Sequence, residues 1–253
     1  MFWEDYAVGS IIAVLSGKGG TGKTSVCAGV AAALAEAGAR VLCIDCDVGL
    51  RNLDISLGMS DSGTISFLEV QEGAYSLEQI PRHFMYPGLA FLTAPVNISA
   101  DRIDAEAFGE MLRNARNHFD YILLDAPAGL DAGFRLAATP ADRCILVTGA
   151  APAAVRDAAR VGDVLEIMGK NDVRLVVNRV DKSLFAGLRL TVDDIMDAAG
   201  LPLLGIVPED IHVVLAASFG RVLLQFQKKS PAAVAYRNIA KRIQGVPVPI
   251  TLR

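Results

Sequence analysis

The chain has 253 residues, is 52% hydrophobic and 21% charged, and carries a formal net charge of −4. That size and apolar content supply the core of one large domain or two small ones, with one the simpler division, and exclude a disordered chain. Seven Lys or Arg and no Asp or Glu lie between Arg221 and Arg253, which leaves residues 1–220 at −11 and excludes a general polyanion binder.

A basic end on an acidic body suits anionic lipid or nucleic acid, and equally a solvated helix face. No basic-plus-apolar leader and no apolar run of 18 residues is present, so the expected location is the cytoplasm. The first eight residues, MFWEDYAV, hold three aromatics and are expected to pack against a sheet, with a small membrane wedge as the alternative.

Short apolar runs then alternate with helix-patterned segments. Strands are predicted at Ile11–Leu15, Val41–Ile44, Leu89–Leu92, Tyr121–Leu124, Cys144–Val147, Leu175–Val177 and Leu203–Val207. Helices are predicted at Thr24–Ala37, Ala105–His118, Ala153–Met168, Val192–Ala199 and Ala232–Ile243. Strand-then-helix repetition predicts an α/β fold: one doubly wound, mostly parallel sheet flanked by helices. The expected division is an N-terminal extension (1–10), one domain (11–244) and a short tail (245–253) in which Pro247 and Pro249 forbid an ordinary helix.

Between the first strand and first helix lies GKGGTGKT, residues 17–24. Gly17, Gly19, Gly20 and Gly22 let the backbone wrap phosphate oxygens with its N–H groups, and the helix start adds partial positive charge. Lys23 then meets the β and γ phosphates, while the Thr24 hydroxyl is suited to Mg²⁺. With Thr21 and Ser25, these residues form the expected site for ATP or ADP. Lys18 is not needed to build the cradle, but an ammonium there neutralises charge on a transferring phosphoryl group.

The second strand ends in Asp45-Cys46-Asp47, an acidic pair at the rim where parallel sheets bind ligands. Cys43 and Cys46 have CxxC spacing, yet strand alternation turns them to opposite faces, so buried thiols are expected rather than a shared metal. The fourth strand runs into Asp125-Ala126-Pro127-Ala128-Gly129, where an aspartate ending an apolar strand is placed to hold Mg²⁺. Asn178 follows the sixth strand and offers an amide able to pair with an adenine edge. Pro208, Glu209 and Asp210 follow the seventh strand at the same rim. A turn role for Asn178 and a helix cap at Glu209 are the plain alternatives. His83, His118 and His212 are scattered and show no ligand spacing.

The KGGTGKT spacing, DCDVGLRNLD, DAPAG, VRDA at 155–158 and AYRNIAKRI at 235–243 together resemble the MinD branch of the MinD/ParA deviant Walker A ATPases. The resemblance runs over nearly the whole chain from Ile11. It implies an Mg²⁺-dependent ATPase switch that dimerises on ATP and helps place the division septum by recruiting a MinC-like inhibitor, with release by a MinE-like activator. It further implies that Lys18 reaches the partner's nucleotide, that Asp47 orients the attacking water, that Asp45 supports the magnesium shell alongside Thr24 and Asp125, and that Asn178 and Pro208–Asp210 recognise adenine. A peripheral position at the inner face of the cell membrane is part of the same pattern. The branch attaches through a C-terminal amphipathic helix, and residues 244–253 are too short and proline-broken to form one. Either the sequence is truncated, or attachment uses the aromatic N-terminus or a partner. The alternatives are a ParA-type partition ATPase binding DNA as an ATP dimer, with DNA the less expected partner, and an iron–sulfur carrier using Cys43 and Cys46.

Overall fold

The computed structural model describes residues 9–48, 51–62, 64–96, 98–181, 183, 185, 187 and 191–250. The N-terminal aromatics of residues 1–8, and Gly49 and Leu50 of the second motif, lie outside the described residues.

Seven strands form one parallel sheet: β1 (Ser10–Leu15), β2 (Val41–Asp45), β3 (Leu89–Leu92), β4 (Tyr121–Asp125), β5 (Arg143–Thr148), β6 (Val173–Val180) and β7 (Leu203–Pro208). Their order is β3-β2-β4-β1-β5-β6-β7. Every pairing is parallel, because each connection carries a helix back across one face. β1 lies at the centre, with β4 and β5 on its two sides, so the loop after β1 opens into the crevice where the winding reverses.

Alternation within the strands divides the core into two layers. Ile11, Ala13 and Leu15 face one layer with α3 (Phe67–Gln71), α4 (Ala105–Ala115), α5 (Ala132–Ala138), α6 (Pro152–Ile167) and α7 (Val192–Ala199). Ile12 and Val14 face the other, with α1 (Lys23–Glu36), α2 (Leu53–Leu57), α8 (Ile211–Ser218), α9 (Leu223–Phe226) and α10 (Pro231–Ile243). Cys43 and Cys46 belong to opposite layers, so they cannot share a metal or cluster, and all four thiols are buried and free.

Helix α1 is buried almost all round and touches α10 closely: a Cβ added at Gly29 would lie 2.1 Å from Tyr236 Cδ2. At the edge strand β7, Arg242 donates to the carbonyls of Leu204 (2.9 Å), Val248 (3.0 Å) and Pro249 (2.9 Å). The tail thereby covers an edge that would otherwise offer unpaired backbone groups. A cavity of about 550 Å³, lined by Ile206, Val234 and Pro249 among others, runs beneath it and lies apart from the loop after β1. No helix among the described residues is long and apolar enough to cross a membrane.

Candidate functional site

The loop after β1 enters α1 through glycines in the left-handed region, Gly20 at φ 80° and Gly22 at φ 81°. A Cβ added at Gly19 or Gly20 would meet nothing within 4 Å, so the concave side of the loop is open. Among the described residues, the backbone N–H groups of Lys18 through Gly22 make no hydrogen bond to the protein. The Thr21 hydroxyl is buried without a partner as well. Donors left unpaired around an open loop at a helix start are what an anionic phosphate chain requires. The nucleotide therefore fits the residues present.

Lys23, the first residue of α1, turns its ammonium inward onto Asp125 Oδ1 at the end of β4, 2.8 Å away, with side-chain exposures of 8% and 2%. Burial opposes charge on Lys23, but Asp125, aided by Asp47, outweighs it and holds the ammonium above its ordinary pKa. Burial pushes the Asp125 carboxyl up, countered by Lys23 and by a hydrogen bond with the Thr24 side chain. Asp45 ends β2 beside Asp125, being its register partner, and is pushed up to about 6 by burial and then by the charge of Asp125. The buried ammonium thus pairs with one of two adjacent buried carboxylates. A divalent cation would supply further positive charge here, and Thr24 with Asp125 are the side chains that would suit Mg²⁺. No group of three His, Cys, Asp or Glu able to hold a metal occurs among the described residues, so an ion here would need phosphate and water to complete its shell.

Asp45 has a second task that its sequence position did not suggest. Its oxygens accept the backbone N–H groups of Asp47 (2.9 Å), Asn52 (3.2 Å) and Leu53 (3.2 Å). It thereby ties both ends of the loop between β2 and α2 and caps α2, whose own N-cap residue Asn52 makes no side-chain cap. Across the site, Gly129, at φ 97°, donates its N–H to the Ser16 carbonyl at 3.3 Å. The loop after β4 is therefore joined directly to the loop after β1. Lys18 is exposed, and its side chain makes no hydrogen bond or ion pair among the described residues. Gly17 is a close contact in its own right, since a Cβ there would fall 2.9 Å from the Asp157 carbonyl oxygen of α6.

The residues expected at adenine are placed differently from one another. Asn178 is buried, and its Nδ2 donates to the Thr21 carbonyl at 2.8 Å, so the amide braces the loop after β1. Pro208 ends β7 opposite Val180, at the rim. Glu209 takes both Nε (2.8 Å) and Nη2 (3.2 Å) of Arg179, a residue the sequence reading left without a role. Asp210 departs from the expectation for its side chain. Its carboxylate caps α8 through His212 N–H (3.0 Å) and reaches Ala232 N–H (3.1 Å) at the start of α10. Burial works against the charge, yet these donors hold its carboxyl below the ordinary range. Its side chain is committed to two helix starts, and a nucleotide would meet the backbone there.

A family model described as the CobQ/CobB/MinD/ParA nucleotide binding domain matches residues 12–224. The septum site-determining protein MinD of Synechocystis sp. is 38% identical over 241 residues, covering 94% of this chain and 91% of that protein. The chain belongs to the MinD family. A MinC:MinD cell division complex from Aquifex aeolicus contains a chain of TM-score 0.88 and 34% identity, aligned over 96% of this chain and 98% of that one. A MinD from Pyrococcus horikoshii complexed with Mg-ADP has a TM-score of 0.79 and 29% identity over 92% and 95% of the two chains. MinD is thus a P-loop nucleotide-binding family, and a ParA family ATPase from Chlorobium tepidum shares the fold along the chain, with a TM-score of 0.79 over 91% and 98% of the two chains, but at only 20% identity.

Proposed function

We propose that residues 11–244 form an ATP-hydrolysing switch of the MinD kind that acts in placing the division septum. The observation that carries the reading is the buried Lys23–Asp125 pair under an open loop of unpaired N–H donors, with the exposed Lys18 beside it.

Each residue then has a physical task. The N–H groups of the loop and Lys23 bind the phosphates of ATP, and Lys23 exchanges Asp125 for a stronger anionic partner. Released from Lys23, Asp125 is free to hold Mg²⁺ with the Thr24 hydroxyl. The ion, when bound, neutralises charge shared by the β and γ phosphates. Asp47, held near Lys23 and Asp125 by the Asp45 brace, orients the attacking water, and orientation is the main contribution a carboxylate makes to a poor nucleophile. Lys18 serves the nucleotide of a second copy in an ATP-dependent homodimer. Because the loops after β2 and β4 both contact this site, the ATP form differs in surface from the ADP form, which is the condition for a partner to prefer one of them. A MinC-type inhibitor is the proposed partner, by analogy with the Aquifex complex, and a MinE-type protein the proposed activator.

Light scattering on the full chain with Mg²⁺ and ATP tests the reading. Asp47→Ala should bind ATP, release no phosphate and remain dimeric, whereas ADP should leave the protein monomeric. A monomer under all these conditions would refute the switch.

A further inference from the structure

The buried positions of β6 do not keep strand alternation to the end. Val173, Leu175 and Val177 face the layer of α3 to α7, and the next residue to do so is Val180. One extra residue has entered the strand, and the β6–β7 register slips between Val177 and Val180. Arg179 takes up the insertion at φ 57°, and among the described residues it alone has positive φ without being glycine. That region is disfavoured for any side chain with a Cβ.

The insertion has a stereochemical result. Asn178 and Arg179 are adjacent, and a regular strand would send them to opposite faces. Here both reach the loop after β1: Asn178 Nδ2 donates to the Thr21 carbonyl at 2.8 Å, and Arg179 Nη1 donates to the Gly20 carbonyl at 3.4 Å. Glu209 holds the same guanidinium by two further bonds. Peptide groups are planar and, among the described residues, trans, so each C=O fixed towards β6 sends the following N–H the opposite way. Those N–H groups belong to Thr21 and Gly22 and are unpaired. Close fit enforces the arrangement, since a Cβ at Gly22 would lie 2.3 Å from Asn178 Nδ2.

We infer that the Asn178–Arg179 bulge is a positioning device for the phosphate cradle, aiming the Thr21 and Gly22 N–H groups at a polyphosphate before it arrives. The inference rests on the nucleotide reading of the loop. It gives Asn178 a task at the phosphate end of the site through Nδ2, and gives Arg179 its own. Donors fixed in advance cost no reorganisation when the anion binds.

A ligand with phosphates but no base separates the two roles. Titration calorimetry on the full chain with Mg²⁺ would compare ATP with inorganic tripolyphosphate. Asn178→Ala should weaken both ligands alike, by about tenfold, the worth of one well-formed hydrogen bond in a low-dielectric site. Arg179→Gly should weaken both by about threefold, its bond being longer, and should not lower thermal stability, because glycine accepts the left-handed backbone. Equal losses on both ligands support the inference. Loss confined to ATP would make the pair base readers and overturn it, as would unchanged affinity for both. Wild-type protein that binds neither ligand would overturn the nucleotide reading itself.

Discussion

Replacing Lys23 with Ala should destabilise the nucleotide-free protein even though Lys23 belongs to a ligand site. At 2.8 Å the attraction between Lys23 and Asp125 is about 6 kcal/mol at an effective dielectric of about 20. Desolvation of both groups offsets much of this in the intact pair. Removing one partner strands the other, and the expected net loss is about 3–5 kcal/mol. With roughly 2.1 cal/mol/K per residue, 253 residues have an unfolding entropy of about 0.5 kcal/mol/K, so the melting temperature should fall by about 6–9 °C. The deficit should depend on pH in a definite direction. Without Lys23, the folded state holds Asp45 and Asp125 at higher pKa than the unfolded chain does, so it binds more protons and gains stability as pH falls from 7.5 towards 5. Calorimetric or fluorescence melts of wild type and Lys23→Ala at both pH values, without nucleotide, check this. Equal melting temperatures at pH 7.5 would show that the pair is not closed in solution and would refute the reasoning.

Gly29→Ala should cost about 1–3 kcal/mol by forcing α1 and α10 apart at Tyr236, read as a lower denaturant midpoint. Asp45→Ala removes the acceptor of three backbone N–H groups, so it should lower stability by about 1–2 kcal/mol and speed proteolysis between β2 and α2. His83 is buried, its Nδ1 accepts the N–H groups of Met85 (3.1 Å) and Tyr86 (3.2 Å), and burial holds its pKa below the ordinary value. The unfolded chain therefore takes up a proton first, and this group withdraws stability as pH falls through about 6.5. Because Asp45 works in the opposite sense over the same range, the check is a difference: unfolding curves at pH 7.5 and 5.5 should show His83→Gln losing less stability, or gaining more, than wild type on acidification.

All seven strands and five of the helices were legible in the sequence, because short Val, Ile and Leu runs buried on both faces and long amphipathic segments are strong periodic signals. The helices α2, α3, α5 and α9 were not, being too brief for a period to register, and α8, as long as the legible α7, is a nearly unbroken apolar run with no polar face to mark a period. At the site, the glycines, Lys23, Asp45 and Asp125 were found through their positions at strand ends. What they do to one another was hidden, since the Lys23–Asp125 pair spans 102 positions and the Asp45 brace depends on loop closure. The side chain of Asp210 was misplaced because a carboxylate after a strand looks alike whether it meets a ligand or two helix starts. Arg179 was missed entirely. One signal for it was present: in VRLVVNRV the apolar alternation 173, 175, 177 resumes at 180, one residue late.

Helix α1 leaves little room to move. Val26 through Leu34 are all buried, and Gly29 admits Tyr236 where any larger residue would collide. A rod enclosed on every side behaves as a fixed mount, so the phosphates are received on a part of the molecule that cannot recoil. On the switch reading proposed above, whatever distinguishes one nucleotide state from another would then be expressed in the rims after β2 and β4. In such a switch the signal would leave sideways along the loops, with the helix that carries Lys23 as the stationary reference against which they are displaced.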